Sequence, residues 1–418
     1  MAGTFSVMTS RQCRFCGTEL RHTFVDLGVS PLSNSFLTQD QLSQMEPFYP
    51  LHARVCSRCF LVQLDEFESP ERIFSDYAYF SSYSETWLRH AREYTEQMSR
   101  RFHLHNQSQI VEIASNDGYL LQYFLNKGIP VLGIEPAVNV AKAAEDKGIP
   151  TVRKFFGIET ATELAAAGKM ADLLLGNNVL AHVPALNDFV AGLKILLKPQ
   201  GLITMEFPHL MRLIEGRQFD TIYHEHFSYF SFLTVEEIFS RHRLTVFDVE
   251  QLSTHGGSLR IYAQHSEFEG RATSERVGEL RQRELERGSR KLETYLQFAE
   301  QAQQTKMRLL SFLIEAKSEG KSIVAYGAPA KGNTLLNYCG VRTDFIDYTV
   351  DASPHKQNHF LPGTHIPIYH PDKIKETRPD YVLILPWNLR DEIVAQMSCT
   401  REWGGKFVLP IPQVEVLA

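Results

Sequence analysis

Two Cys-x-x-Cys pairs, Cys13/Cys16 and Cys56/Cys59, stand ahead of a strand-and-turn signature, Glu112-Ile-Ala-Ser-Asn-Asp-Gly118. Each pair offers two thiolates from one tight turn, and two such turns close the tetrahedral shell that Zn2+ takes. With sulfur at all four corners no position is left for water, so the ion is expected to be structural. A redox role fits poorly, because nothing thioredoxin-like surrounds either pair. The pairs thus mark a small metal-held module, expected over residues 1–75, with short strands at Val25–Val29 and Leu51–Val55.

The chain has 418 residues, room for two or three domains at roughly 150 residues each. Its net charge of −6 argues against a nucleic-acid groove, which needs a basic surplus, but leaves anionic small molecules open. No stretch has the length and apolarity of a membrane span, and the first residues lack the basic-then-apolar pattern of a secretory signal. A soluble, cytoplasmic monomer acting on a small molecule is the expectation. Cys339 and Cys399 are isolated and read as structural fillers.

After the module, apolar residues at helical spacing (Trp87, Leu88, Ala91, Tyr94, Met98) predict a helix from Ser84 to Phe102. Short apolar runs at 109–113, 131–135, 171–176 and 202–206 then alternate with helical stretches. This β-α-β-α rhythm predicts a parallel, doubly wound, Rossmann-like sheet, assigned to residues 76–250. From Arg271 to Ser318 charged residues with periodic leucines predict one or two long helices. Strand-like runs at 322–326, 348–350, 381–385 and 407–409 follow, a second α/β domain within 251–418.

The turn ending at Gly118 has no G-x-G-x-x-G and no P-loop lysine, so it is not built to grip phosphates. S-adenosylmethionine has none, and needs only close backbone approach and an acidic residue for its ribose. Glu112, Ala114, Asn116, Asp117 and Gly118 form the turn; Glu135 and Pro136 end the second strand, where acidic residues commonly take ribose hydroxyls. Asn177 and Asn178 follow the later strand, at the sheet edge where ligands lie.

Further stretches hold more polar groups than a core needs: Asp76 to Ser84, Asn177 to Pro184, Phe219 to Ser228 and His255 to Arg260. Within the third, Tyr223, Glu225 and His226 can form a relayed base near neutral pH. An extended segment puts Tyr223 and Glu225 on one side, a helix puts Tyr223 and His226 together.

These motifs, with Tyr326-Gly-Ala-Pro-Ala-Lys-Gly-Asn333 and Asp351-x-Ser-Pro-x-Lys-Gln-Asn358, resemble the S-adenosylmethionine-dependent sugar C-methyltransferases, which methylate a nucleotide-linked 4-keto-6-deoxyhexose at C3 or C5. The resemblance runs from Cys13 to about Pro412. It implies a zinc module, a methyl-donor domain and a C-terminal domain that helps hold the sugar nucleotide. It also implies His226 as base, supported by Tyr223, Glu225, His182 and Tyr79, with Ser81, Ser82, His255, Gly256, Lys331, Asn333 and Lys356 toward sugar and diphosphate. His224 falls where the motif varies and receives no role. Two rival expectations are methylation of a non-sugar carbon acid, which needs no diphosphate site, and an inactive scaffold, which does not need the intact Tyr-x-Glu-His.

Overall fold

A computed structural model describes residues 11–70, 80–83 and 85–417. The N-terminal module is built on an antiparallel pair, His22–Ser30 with Tyr49–Val55. In the second of these Leu51, Ala53 and Val55 are buried and alternate with more open residues, the two-residue period of a half-buried strand. Val62–Gln63 adds to that pair, and the fourth strand, Ser228–Tyr229, comes from far along the chain. Phe24 stacks on Phe298 at 4.5 Å, which seats this sheet on the long helix leading to the C-terminal domain.

The helix Glu85–Arg101 buries Ala91, Tyr94, Thr95 and Met98, an i, i+3, i+4, i+7 stripe, against the central sheet. That sheet has seven strands in the order 244–252, 258–265, 197–208, 171–177, 110–113, 131–134, 151–152. The five from 110 to 208 are parallel, as expected. The other two are not: Leu244–Leu252 and Ser258–His265 run antiparallel to each other, and the second runs antiparallel to 197–208. The expectation of a wholly parallel sheet is corrected here. Only residues 253–257 join the two strands, too few for a parallel crossover. This hairpin straddles the division expected at residue 250. The strand order reverses between 110–113 and 171–177, and ligands gather beyond the carboxyl ends of strands at such a point.

The charged stretch after residue 270 folds as three helices, Glu275–Glu286, Leu292–Leu296 and Phe298–Ser318, rather than one or two. Gly288 at φ +79° ends the first, the left-handed residue that closes many helices. The C-terminal sheet has the order 368–369, 349–350, 323–326, 381–384, 406–409, 415–417, parallel except for its last strand. Its order reverses between 323–326 and 381–384, so this domain also offers a crevice at its strand ends.

Candidate active site

The four cysteine sulfurs lie within 4.8 Å of one another, with Cys13–Cys59 and Cys16–Cys56 each at 3.5 Å. A tetrahedron with Zn–S bonds of about 2.3 Å has edges near 3.8 Å, so the donors fit zinc. Each turn closes by a backbone bond, Gly17 N–H to Cys13 O and Phe60 N–H to Cys56 O, and Gly17 and Phe60 take left-handed φ there. Arg58 N–H and the Gln63 amide donate to Cys56 and Cys13 sulfurs at 3.4 and 3.2 Å. Contact with Cys56 pushes the Cys13 thiol up to about 11, and contact with Cys13 pushes Cys59 up also, while the same bonds pull Cys56 down. Four thiols this close hold more than one negative charge only with a cation among them.

A cavity of about 870 Å³ opens where the carboxyl ends of the central strands, the C-terminal domain and the edge of the metal module meet. On the central side the donor turn is bent by left-handed residues at Ala114, Asn116 and Gly118. Asn116 N–H and Ala137 N–H donate to the Glu135 carboxylate at 3.0 and 2.9 Å, and Ser81 N–H donates to Asn116 Oδ1 at 2.9 Å. Burial pushes Glu135 upward against the pull of those two amides. Ala114, Asn116, Glu135, Pro136, Asn177, Asn178 and Ser81 all line the cavity.

Glu112, Asp117 and Gly118 stand behind this wall. Glu112 is fully buried, and burial holds its carboxyl well above the usual range. Asp117 is paired with Lys147, which also reaches Ser82 Oγ at 2.9 Å, so Ser82 is engaged outside the cavity. Gly118 is required by its φ of +73° and by packing, since a Cβ would lie 2.2 Å from Ile149 Cδ1. The side-chain oxygens of Asn177 and Asn178 are buried and meet no protein donor among the described residues. Two such acceptors beside a buried carboxyl suit a ligand with an ammonium and a sulfonium, so the wall fits S-adenosylmethionine.

The Tyr223–His226 segment is a turn, neither extended nor helical: His226 N–H bonds to Tyr223 O at 2.9 Å. That turn brings the Tyr223 and His226 rings to 4.1 Å and sends Glu225 to Asn34, whose amide donates to it at 2.6 Å. His226 Nδ1 lies 3.0 Å from Thr221 O; a carbonyl only accepts, so Nδ1 carries the proton. Its Nε2 then presents a lone pair, 3.0 Å from the Tyr223 hydroxyl. Burial, with His182 at 4.7 Å between rings, holds the His226 imidazole well below its ordinary value. Burial also lowers His182 and His255, each to about 4. His255, itself left-handed at φ +55°, accepts from the Asn178 amide at 2.8 Å. His224 turns out of the cavity and donates to Pro50 O.

From the C-terminal domain Lys331 and Lys356 line the cavity. Lys356 Nζ donates to Ala328 O at 2.9 Å and lies 3.5 Å from Asp351. Asn333 does not reach the cavity; it is buried in the domain interface, donating to Ser33 O. Gly256 also lies outside, where a Cβ would meet the Trp387 ring at 2.5 Å. Tyr79 lies outside the described residues.

Several residues in or behind the cavity wall carried no sequence signal for their role. Trp87, read as part of a helical core stripe, stacks on Tyr119 and His90 and meets the edge of His255 at 5.2 Å between centroids. Asp220, inside a motif already singled out, is buried and accepts the indole N–H of Trp387 at 2.7 Å. Beneath them Glu206 binds Arg260 at 2.8 Å, His90 at 3.0 Å and the Thr254 hydroxyl at 2.9 Å. Although burial works against it, His90 and Arg260 pull that carboxyl down to about 2.

Three families match along the chain: a putative zinc binding domain over residues 13–74, a methyltransferase domain over 85–249, and a C-methyltransferase C-terminal domain over 253–412. The C-methyltransferase NovU of Streptomyces niveus is 34% identical over 407 residues, 97% of each chain. Among solved structures, magnesium protoporphyrin IX methyltransferase from Synechocystis is 13% identical, covering 43% of this chain and 79% of its own, with a TM-score of 0.33. The PH0226 protein of Pyrococcus horikoshii is 14% identical, covering 48% and 99%, with a TM-score of 0.36; at such scores the likenesses carry no argument. No helix among the described residues is long and apolar enough to cross a membrane. A metal-fitting thiol cluster, a donor wall suited to S-adenosylmethionine and a full-length relative at this identity together place the chain in the C-methyltransferase family, as an S-adenosylmethionine-dependent enzyme with an N-terminal zinc-binding module.

Proposed function

We propose that this enzyme methylates the carbon beside the ketone of a nucleotide-linked 4-keto-6-deoxy sugar, thymidine-diphosphate-linked by preference, at C3 or C5. The observation that carries this reading is the fixed tautomer of His226, with Nδ1–H on Thr221 O and Nε2 unprotonated, its lone pair toward the Tyr223 hydroxyl in the shared cavity. Carbon becomes a nucleophile only after losing a proton, and a neighbouring ketone permits that loss by taking the charge on oxygen. His226 Nε2 accepts the proton, and Thr221 O shares the charge of the resulting imidazolium through Nδ1–H. Glu225, held by Asn34, adds negative potential, and His182 and Tyr223 fix the ring face. S-adenosylmethionine, bound along Ala114, Asn116, Glu135, Asn177 and Asn178, supplies an electrophilic methyl group.

A diphosphate is favoured over a simple ketone by the C-terminal wall. The helix Ala330–Cys339 begins at the cavity, where Pro329 and Ala330 line it together with Lys356, and helix N-termini suit anions. The protein is proposed to work as a cytoplasmic monomer on this small molecule and not on nucleic acid. Incubation with methyl-labelled donor and a panel of nucleotide-linked 4-keto sugars, with the label located by NMR, tests the substrate. For the base, His226→Asn should bind both ligands but stop exchange of the α-proton in deuterated water; undiminished exchange rejects His226.

A further inference from the structure

Lys331 lies in the first turn of the helix Ala330–Cys339, and its ammonium is not arranged like a surface cation. Its Nζ donates to Asn388 Oδ1 at 2.7 Å and lies 4.6 Å from the centre of the Trp387 ring. The Trp387 indole is in turn tied to Asp220, which is wholly buried and whose Oδ1 meets no protein donor among the described residues. A half-buried lysine is thus fixed over an aromatic face with a buried carboxylate nearby as its counter-charge. An ammonium has three N–H donors, and Asn388 takes one.

The direction of this group follows from its neighbours. Asp220 directly precedes Thr221, whose carbonyl holds His226. His226, His255 and Lys331 line the same cavity, and the Lys331 charge reaches both imidazoles, helping to keep them neutral. Lys356, by contrast, is held at Ala328 O and beside the Phe36 ring. The two lysines therefore face different parts of one ligand: Lys356 and the first helix amides suit a diphosphate, and Lys331 is on the side of the base.

We propose that Lys331 is a catalytic residue for carbanion formation: its ammonium, seated on Trp387 and Asn388, donates a hydrogen bond to the ketone oxygen as that oxygen becomes an enolate. This rests on the ketone-substrate reading above. As His226 Nε2 takes the α-proton, the C–H electron pair forms the new carbon–carbon double bond. The carbonyl π pair moves onto oxygen, and the lysine keeps its proton. Asp220 and Trp387 act through Lys331 and are positioning residues.

The test is Lys331→Met, in which the stem is kept and the charge removed. Two readouts are taken with S-adenosylhomocysteine present: affinity for thymidine diphosphate alone, and α-proton exchange in deuterated water on a thymidine-diphosphate-linked 4-keto-6-deoxyhexose. Removal of one preorganised donor typically lowers the rate by roughly 10²–10³-fold. The expected result is exchange reduced by about that factor with thymidine diphosphate affinity within about twofold. Exchange within about threefold of the parent overturns the proposal, as does a tenfold or greater loss of thymidine diphosphate affinity, which makes Lys331 a phosphate contact. Absence of exchange in the parent enzyme overturns the ketone reading and this proposal together, whereas exchange that is present in the parent and undiminished in the lysine variant overturns this proposal alone. Should Lys331→Met not fold, Lys331→Gln is read by the same two measurements, and Asp220→Asn, which keeps an acceptor for Trp387, should lower exchange without changing thymidine diphosphate affinity.

Discussion

Glu284 lies on the first connector helix and is wholly buried, yet its carboxylate organises a wall of the central domain. It accepts from Phe232 N–H at 2.7 Å and Leu233 N–H at 2.9 Å, the opening amides of the helix Phe232–Arg241, and from His209 Nε2 at 2.7 Å. A carboxylate at a helix N-terminus also meets the positive end of the helix dipole. Glu284→Ala removes all three acceptors where water has no access. Leaving three buried donors unpaired, each at about 1–3 kcal/mol, puts the cost at about 3–5 kcal/mol or more. Glu284→Gln keeps one oxygen but sets an NH2 against a backbone N–H, and one orphaned buried donor costs about 1–3 kcal/mol. Hydrogen exchange of the 232–241 amides reads this directly. At 1.4 kcal/mol per factor of ten, opening should rise by about two to three and a half powers of ten in the alanine variant and by about one to two in the glutamine variant. Amides of Tyr381–Ile384, in another sheet, should change far less. Exchange at 232–241 within threefold of the parent for Glu284→Ala would refute the reasoning, because it would mean that the three bonds are replaced without cost.

Chelation of the metal, or Cys59→Ser, should release zinc by elemental analysis and also abolish methyl transfer, although no cysteine lines the cavity. Tyr223→Phe keeps the ring against His226 but deletes the hydroxyl at Nε2; kcat should fall by roughly 10–10² with the donor affinity unchanged, measured by steady-state kinetics and calorimetry. Gly118→Ala meets both a φ of +73° and the Ile149 side chain, so calorimetry should show S-adenosylmethionine binding weakened by at least tenfold, about 1.4 kcal/mol. The proposed base must be neutral to act, and burial with His182 keeps the His226 imidazolium disfavoured, so the acid limb of kcat/KM should fall below pH 6.5. Replacing His182 with Phe removes one repelling ring and should move that limb upward in pH.

Local chemistry was the legible part of this chain. Paired cysteines, buried apolar strands and a turn glycine each announce themselves within a few residues, and strands such as Val131–Ile134 and Tyr381–Ile384 fall where their apolar runs lie. Contacts between distant segments left no such trace. Asn34 reaches Glu225 and Trp387 reaches Asp220 across intervals that no periodicity spans. The His255-Gly-Gly-Ser-Leu-Arg260 stretch shows how one motif divides: His255 faces the cavity, Gly256 makes room for Trp387, Gly257 makes room for Arg212, and Arg260 pairs with Glu206 beneath. The Tyr223–His226 geometry was undecidable in the sequence because a single backbone bond, not a propensity, bends it.

The two-residue strand Ser228–Tyr229 closely follows the Tyr223–His226 turn and pairs with Val62–Gln63. During synthesis the cysteines leave the ribosome long before that strand exists. A nascent module can load its metal yet must carry an open sheet edge until the polypeptide has grown past residue 229. Its completion is thus a late event, and it coincides with the emergence of His226; an excised N-terminal fragment should be sticky, and its loss from the enzyme should unmoor the imidazole itself.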